Sequence, residues 1–167
     1  LKLKVNRKKS ALARPVQRVF LGYSFTIHRQ TRIRVPGKSI QKMKSKLKDL
    51  FRQGRGRNLR RFIHDTLNPV LRGWMHYFRL AETKLFAEEL DAWIRRRLRC
   101  ILWRQWKRGH TRYRKLKGRG LNPEHARIGA WNGRGPWFNS GASHMNLAFP
   151  RKAFDAMNLL NLLDLLR

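Results

Sequence analysis

The stretch LNPVLRGWMHYFR, residues 67–79, holds the pattern on which the fold turns. Through it and just before it, Leu59, Phe62, Ile63, Leu67, Val70, Leu71, Trp74 and Phe78 recur at a spacing that gathers them on one side of a helix of roughly five turns. Pro69 interrupts the pattern, because proline has no N–H to give and is at ease only in a helix's first turn. Either Pro69 kinks one helix, or Asn68 caps a new segment with proline in its opening turn. Gly73, with no side chain, lets a neighbouring helix or another backbone approach closely. Trp74 and Phe78 are expected to wedge helices together, leaving Tyr77 outside.

Toward the N-terminus, SIQKMKSKLKDLF (39–51) sets Ile40, Met43, Leu47, Leu50 and Phe51 at helical spacing, with Lys42, Lys44, Lys46 and Lys48 mostly off that stripe. Pro36-Gly37 punctuates the chain and Ser39 is expected to cap this helix. RQGRGRN (52–58) predicts a flexible positive loop with Asn58 as the next cap. Further back, RVFLGYSFTIHRQTRIRV (18–35) alternates as two short strands about a turn near His28 to Thr31, placing Leu21, Tyr23, Phe25 and Ile27 on one face. Gly22 there predicts a bulge or a close backbone contact. Lys8 to Gln17 reads as a basic, proline-containing loop.

Toward the C-terminus, a helix from about Leu85 to Arg108 carries Leu90, Ile94, Leu98, Ile101 and Leu102 on one arc. Arg95, Arg96, Arg99 and Lys107 fall opposite, with Trp103 and Trp106 with or beside them. Beyond Lys107 the periodicity fades into an irregular basic stretch with one short helix from Pro123 to Ile128. The tail Ala153 to Leu166 regains apolar density and is expected to dock, as a terminal helix or as strand-and-helix packing. No fixed-period repeat is visible, which argues against a solenoid. The fold class is therefore mainly α: a helical bundle with a small N-terminal β-hairpin and an irregular basic C-terminal region.

Forty Lys and Arg oppose nine Asp and Glu over 167 residues, a formal charge of +31. A compact chain so charged repels itself until a polyanion neutralises it. Nucleic acid fits that role better than a membrane, because the longest apolar-rich run is short and carries Asp155, Asn158, Asn161 and Asp164. A single cysteine, Cys100, excludes an internal disulfide and suits the cytoplasm. The chain starts at Leu1 with LKLKVNRKK, too basic for a signal peptide, and is expected to be a fragment or a processed chain.

Two-metal phosphoryl transfer needs converging carboxylates, and the nearest thing to a cluster is Glu88, Glu89 and Asp91, which the opening of the third helix explains through its dipole. The six histidines are scattered without zinc-site spacing, and Cys100 reads as a filler. Basic and aromatic residues carry the stronger signal, since phosphates are met by Arg and Lys and unpaired bases stack on aromatic rings. Arg95, Arg96, Arg99, Arg104 and Lys107 are the candidate phosphate contacts, with Trp103 and Trp106 as candidate stacking platforms. Arg55, Arg57, Arg60 and Arg61 are expected to extend that surface, and Tyr77 to lie near the RNA.

FLGYSF at 20–25, LNPVLRGWMHYFR at 67–79, LDAWIRRRLRCILWRQWKR at 90–108 and GPW at 135–137 together resemble the C-terminal part of group II intron-encoded reverse transcriptases. That part is the maturase-specific, or X, domain, which corresponds to the polymerase thumb. The resemblance implies that residues 1–35 are the end of the palm with its connecting hairpin, and 36–167 the maturase-specific domain. It implies structured intron RNA and RNA/DNA template-primer as partners, and a role in stabilising intron RNA for splicing. The family's catalytic Tyr-Ala-Asp-Asp motif would lie upstream of Leu1, so this chain is expected to bind RNA without catalysing polymerisation. No cofactor is expected in it, Mg2+ belonging to the palm. The alternatives are the thumb subunit of a split RNA-directed DNA polymerase and a generic basic RNA-binding protein.

Overall fold

The structure is a computed structural model that describes residues 13–27 and 30–166. A short antiparallel pair, β1 (Ser24–Phe25) and β2 (Ile33–Arg34), precedes the helices, with Phe25 opposite Ile33. His28 and Gln30's neighbour Arg29, in the expected turn, lie outside the described residues, as does the first part of the Lys8 to Gln17 loop. The strands are shorter than the alternation predicts, because Leu21 and Gly22 (φ 47° and 79°) form a tight turn of their own between Phe20 and Tyr23. Leu21 and Ile27 consequently do not share a buried face; they are exposed, and Ser24 is the buried residue of β1. Gly22 makes the expected close contact: a Cβ there would lie 3.1 Å from the Tyr77 hydroxyl.

Helix α1 (Gly37–Gln53) buries Met43, Leu47 and Phe51, as its stripe predicts. Ser39 does not cap it. The helix starts one turn earlier, after Pro36, whose carbonyl accepts from the Ser39 N–H at 2.9 Å. A 3-10 turn (Gly54–Gly56) follows, tied down by Gln105, whose Nε2 donates to the carbonyls of Arg55 and Arg57 at 3.1 and 3.0 Å. Asn58 then caps α2 (Leu59–Phe62) as expected, accepting from the Arg61 N–H at 3.2 Å.

The proline question is resolved by a third arrangement. Between α2 and α3 (Asn68–Tyr77) the chain stays helical through a π-helical turn, Ile63–Leu67, closed by the Asn68 N–H on the Ile63 carbonyl. The wider turn gives the Pro69 ring room that a regular helix denies it. Asn68 is therefore not a cap; it is helical and buried, its Nδ2 donating to the Asn158 carbonyl (2.7 Å) while its Oδ1 accepts from the Leu160 N–H (3.1 Å). Gly73 faces open space with no neighbouring helix against it. Trp74 and Phe78 do wedge: their ring centroids are 4.6 Å apart, and Trp74 also meets Phe86 at 5.2 Å.

Helix α4 (Lys84–Gln105) is the axis of the core, burying Leu90, Ile94, Leu98, Ile101 and Leu102. The region after it is not irregular. It forms α5 (Gly109–Lys117), α6 (Pro123–Ala130), α7 (Pro136–Gly141), α8 (Ser143–Ala148) and α9 (Arg151–Asp155). Helices this short show little periodicity and persist only by packing; here Leu116, Ala126, Met145 and Phe154 enter the same core as α4. The expected helix at Pro123 is present, capped by Asn122, whose side chain accepts from the Glu124 N–H. The tail docks through α9 and the non-helical segment after it, with Phe154 and Leu162 fully buried.

Candidate nucleic-acid interface

The arginines of α4 follow from its central position. Helix α7 lies along the helix face expected to be free, and its Trp137 takes the Arg96 guanidinium 4.0 Å above its ring while accepting an Arg96 hydrogen bond at 3.3 Å. Arg99 donates to the Phe149 carbonyl (3.0 Å), and burial, then Arg95, pushes its pKa down. Arg95 is half-buried too. Arg96 and Arg99 thus tie down the C-terminal helices instead of forming an open charged face; Arg104 and Lys107 remain exposed.

Trp103 and Trp106 cannot serve as stacking platforms. Trp103 is 0% exposed and Trp106 6%, with the Arg112 guanidinium 4.6 Å over the first and Phe149 at 5.8 Å from the second. Trp103 has no face left for a base. Among the C-terminal helices the exposed aromatic residues are Trp131, Trp137 and Phe138, with Arg134 lying 4.2 Å over Phe138 and Arg96 and Arg97 over Trp137. Tyr77 is half exposed, yet its hydroxyl donates to the Leu21 carbonyl at 2.7 Å and its ring stacks on Tyr23. It anchors the hairpin to α3.

What the fold brings together is a set of cationic clefts. The main cleft at the C-terminal ends of α4 and α5, about 660 Å³, opens between them and the start of α2. Arg60, Arg114, Lys115 and Arg119 line it, among the described residues no carboxylate does, and Trp106 and Phe149 form its apolar wall. Arg119 sits 4.5 Å over Phe149, and Arg60 donates to the Ala156 carbonyl at 3.2 Å, so both guanidinium groups are positioned before any ligand arrives. Arg57 and Arg61 line a neighbouring cleft of about 320 Å³ with Asp65. Arg55 and Arg104 line a third, between α1 and α4.

Of the residues lining this cleft, the sequence reading names Arg60 and Trp106 and omits Arg114, Lys115 and Arg119. The available signal was the alternation of bases around Leu116 in RYRKLKGR, which is an amphipathic helical turn once the apolar residue is recognised as core.

The acidic residues do not converge on a metal; among the described residues no three potential ligands form a group. Nor do Glu88, Glu89 and Asp91 sit in the first turn of α4. Asp91 is buried and accepts from the Leu162 N–H at 3.1 and 3.0 Å, holding the tail, and burial pushes its carboxyl above the usual 3.8. His144 is buried against Trp103, and burial, then His125, pushes its pKa down. Cys100 is a buried free thiol. Among the described residues no helix is long and apolar enough to cross a membrane.

The architecture is thus a mainly α domain built on one central helix, with arginine-lined clefts at its surface. Residues 40–120, from α1 through α5, match the family model of the group II intron maturase-specific domain. That match supports a group II intron maturase role, with intron RNA as the implied partner. No curated protein matches the chain.

Proposed function

We propose that this chain binds structured intron RNA through its cationic clefts, stabilising the RNA's active fold for splicing, and that residues 36–167 serve as a thumb against template-primer, with 1–35 as the end of a palm. The observation that carries the reading is the cleft where Arg60, Arg114, Lys115 and Arg119 converge on an aromatic wall without an opposing carboxylate. A backbone phosphate meets preoriented donors there, and Trp131, half exposed, offers a ring to unpaired bases. Binding the native RNA in preference to misfolded forms is enough to assist splicing, by mass action. Arg55, Arg57, Arg61, Arg104 and Lys107 extend the surface.

The test is RNA affinity across a salt series with a group II intron RNA and an unrelated structured RNA. Replacing Arg60, Arg114 and Arg119 with Gln lowers the log–log salt slope by about 2, at roughly 0.7 per phosphate contact. Replacing Arg95, Arg96 and Arg99 in the same way changes it less. The reverse ranking overturns the placement, and equal affinity for both RNAs reduces the protein to a generic basic RNA binder.

The hairpin favours a protein-facing reading alongside this one. Val19, Phe20, Leu21 and Ile27 are 56%, 71%, 71% and 85% exposed, an apolar edge suited to a palm. Primer extension by this chain mixed with a separately expressed palm tests the split-polymerase arrangement; tight RNA binding without extension sinks it.

A further inference from the structure

The cleft between α1, the Gly54–Gly56 turn and α4 differs from the others in being small and almost wholly cationic. Its space is about 250 Å³, floored by Phe51 and Ile101. Lys48, Arg55, Arg97 and Arg104 line it, and among the described residues none of the four has an ion-pair partner; the remaining cation, Arg52, is paired with Asp49 at 3.2 Å. Like charges so gathered repel one another, and Arg97 shows it: burial first, then Arg96, Arg104 and Arg55, pushes its pKa down, with only Cys100 opposing.

Arg97 is nevertheless held in place. Its guanidinium lies 5.0 Å from the Trp93 ring and 4.5 Å from the Trp137 ring, so its plane is set by two indoles. Its Nε is buried with no hydrogen-bond partner. A buried donor left unpaired is unfavourable, and an anion within its reach would pair it. Arg55 is also positioned: Gln105 holds its carbonyl, and a Cβ at Gly54 would come within 2.8 Å of the Phe62 ring, so only glycine lets the turn lie this close.

We infer that this cleft is a binding site for a single phosphate group. Its volume lies below the roughly 300 Å³ at which pockets for whole small-molecule ligands begin, which favours a group smaller than a nucleotide. It holds a tetrahedral oxyanion easily, liquid water occupying about 30 Å³ per molecule. The phosphate comes either from an RNA backbone turned sharply over α4 or from a free polyphosphate; the RNA source rests on the reading proposed above.

Cys100, the sole cysteine, lines the cleft and serves as a reporter. The experiment follows its alkylation by iodoacetamide in the 167-residue chain, alone, with inorganic pyrophosphate, and with a 20-nucleotide oligouridylate, at matched ionic strength. Pyrophosphate slows alkylation about tenfold in the wild type, the charge-assisted hydrogen bonds at stake being of that order. Arg97→Gln and the exposed Arg104→Gln abolish most of that protection, while the distant Lys152→Gln retains it. Protection by oligouridylate as well assigns the phosphate to RNA; protection by pyrophosphate alone assigns it to a free polyphosphate. RNA binding with no protection by either probe overturns the site and leaves the main cleft standing. Equal loss in Lys152→Gln also overturns it, by reducing the effect to net charge.

Discussion

Asp91 gives the sharpest test of how the tail is held. Its carboxylate takes the Leu162 N–H at 3.0 and 3.1 Å and lies 3.5 Å from the Leu163 nitrogen. Leu162 is fully buried, so Asp91→Ala strands that donor away from water. One unsatisfied buried N–H costs about 1–3 kcal/mol, and Leu163, half-buried, can turn to solvent. For a chain of this size each kcal/mol is worth about 2–4 °C, so the melting temperature falls by roughly 2–12 °C. Circular dichroism melts read the loss, and amide exchange at Leu162 reads its location. Unchanged melting together with continued protection at Leu162 would refute the reasoning.

The pH dependence follows from the direction of the Asp91 shift. Burial raises its folded pKa above 3.8, so the folded state holds the proton more tightly than the unfolded one. Its stabilisation is fully present below 3.8 and is lost as pH rises through the folded pKa. The gap in stability between wild type and Asp91→Ala is therefore larger near pH 4 than at pH 7. Asp91→Asn sheds the buried charge and keeps one acceptor, so at pH 7 it melts above Asp91→Ala.

Asn68→Ala releases the Asn158 carbonyl and the Leu160 N–H and costs about 1–3 kcal/mol in a urea melt; combined with Asp91→Ala the losses are non-additive, since both hold one segment. Trp103→Ala costs about 3–5 kcal/mol of stability, whereas Trp131→Ala weakens RNA binding at nearly unchanged melting temperature; equal effects on stability would show that Trp131 is core. His144 has a depressed folded pKa, so its contribution is present above 6.5 and lost as pH falls through the folded value. His144→Gln flattens stability between pH 7 and 5, and a profile identical to wild type refutes that assignment.

The helical stripes were legible along the chain because α1, the α2–α3 run and α4 are long enough for their apolar spacing to register. The same spacing could not show what covers the far side of α4. Arg96 and Arg99 look like part of a solvated face in one dimension, and they become packing residues only because Trp137 and Phe149 arrive from 41 and 50 residues away. Asp91 and Asn68 read as a dipole carboxylate and a cap for the same reason: their true partners, Leu162 and Asn158, are 71 and 90 residues distant.

By itself, the sequence determined the charge, the mainly α class, the resemblance that the maturase-specific match supports, and the residues able to form a core. Those are properties of composition and local periodicity. Only the tertiary structure decided which cations stay free, because a guanidinium can bind phosphate, cover an indole or cap a carbonyl with nearly equal ease. The choice depends on which group the fold brings within reach.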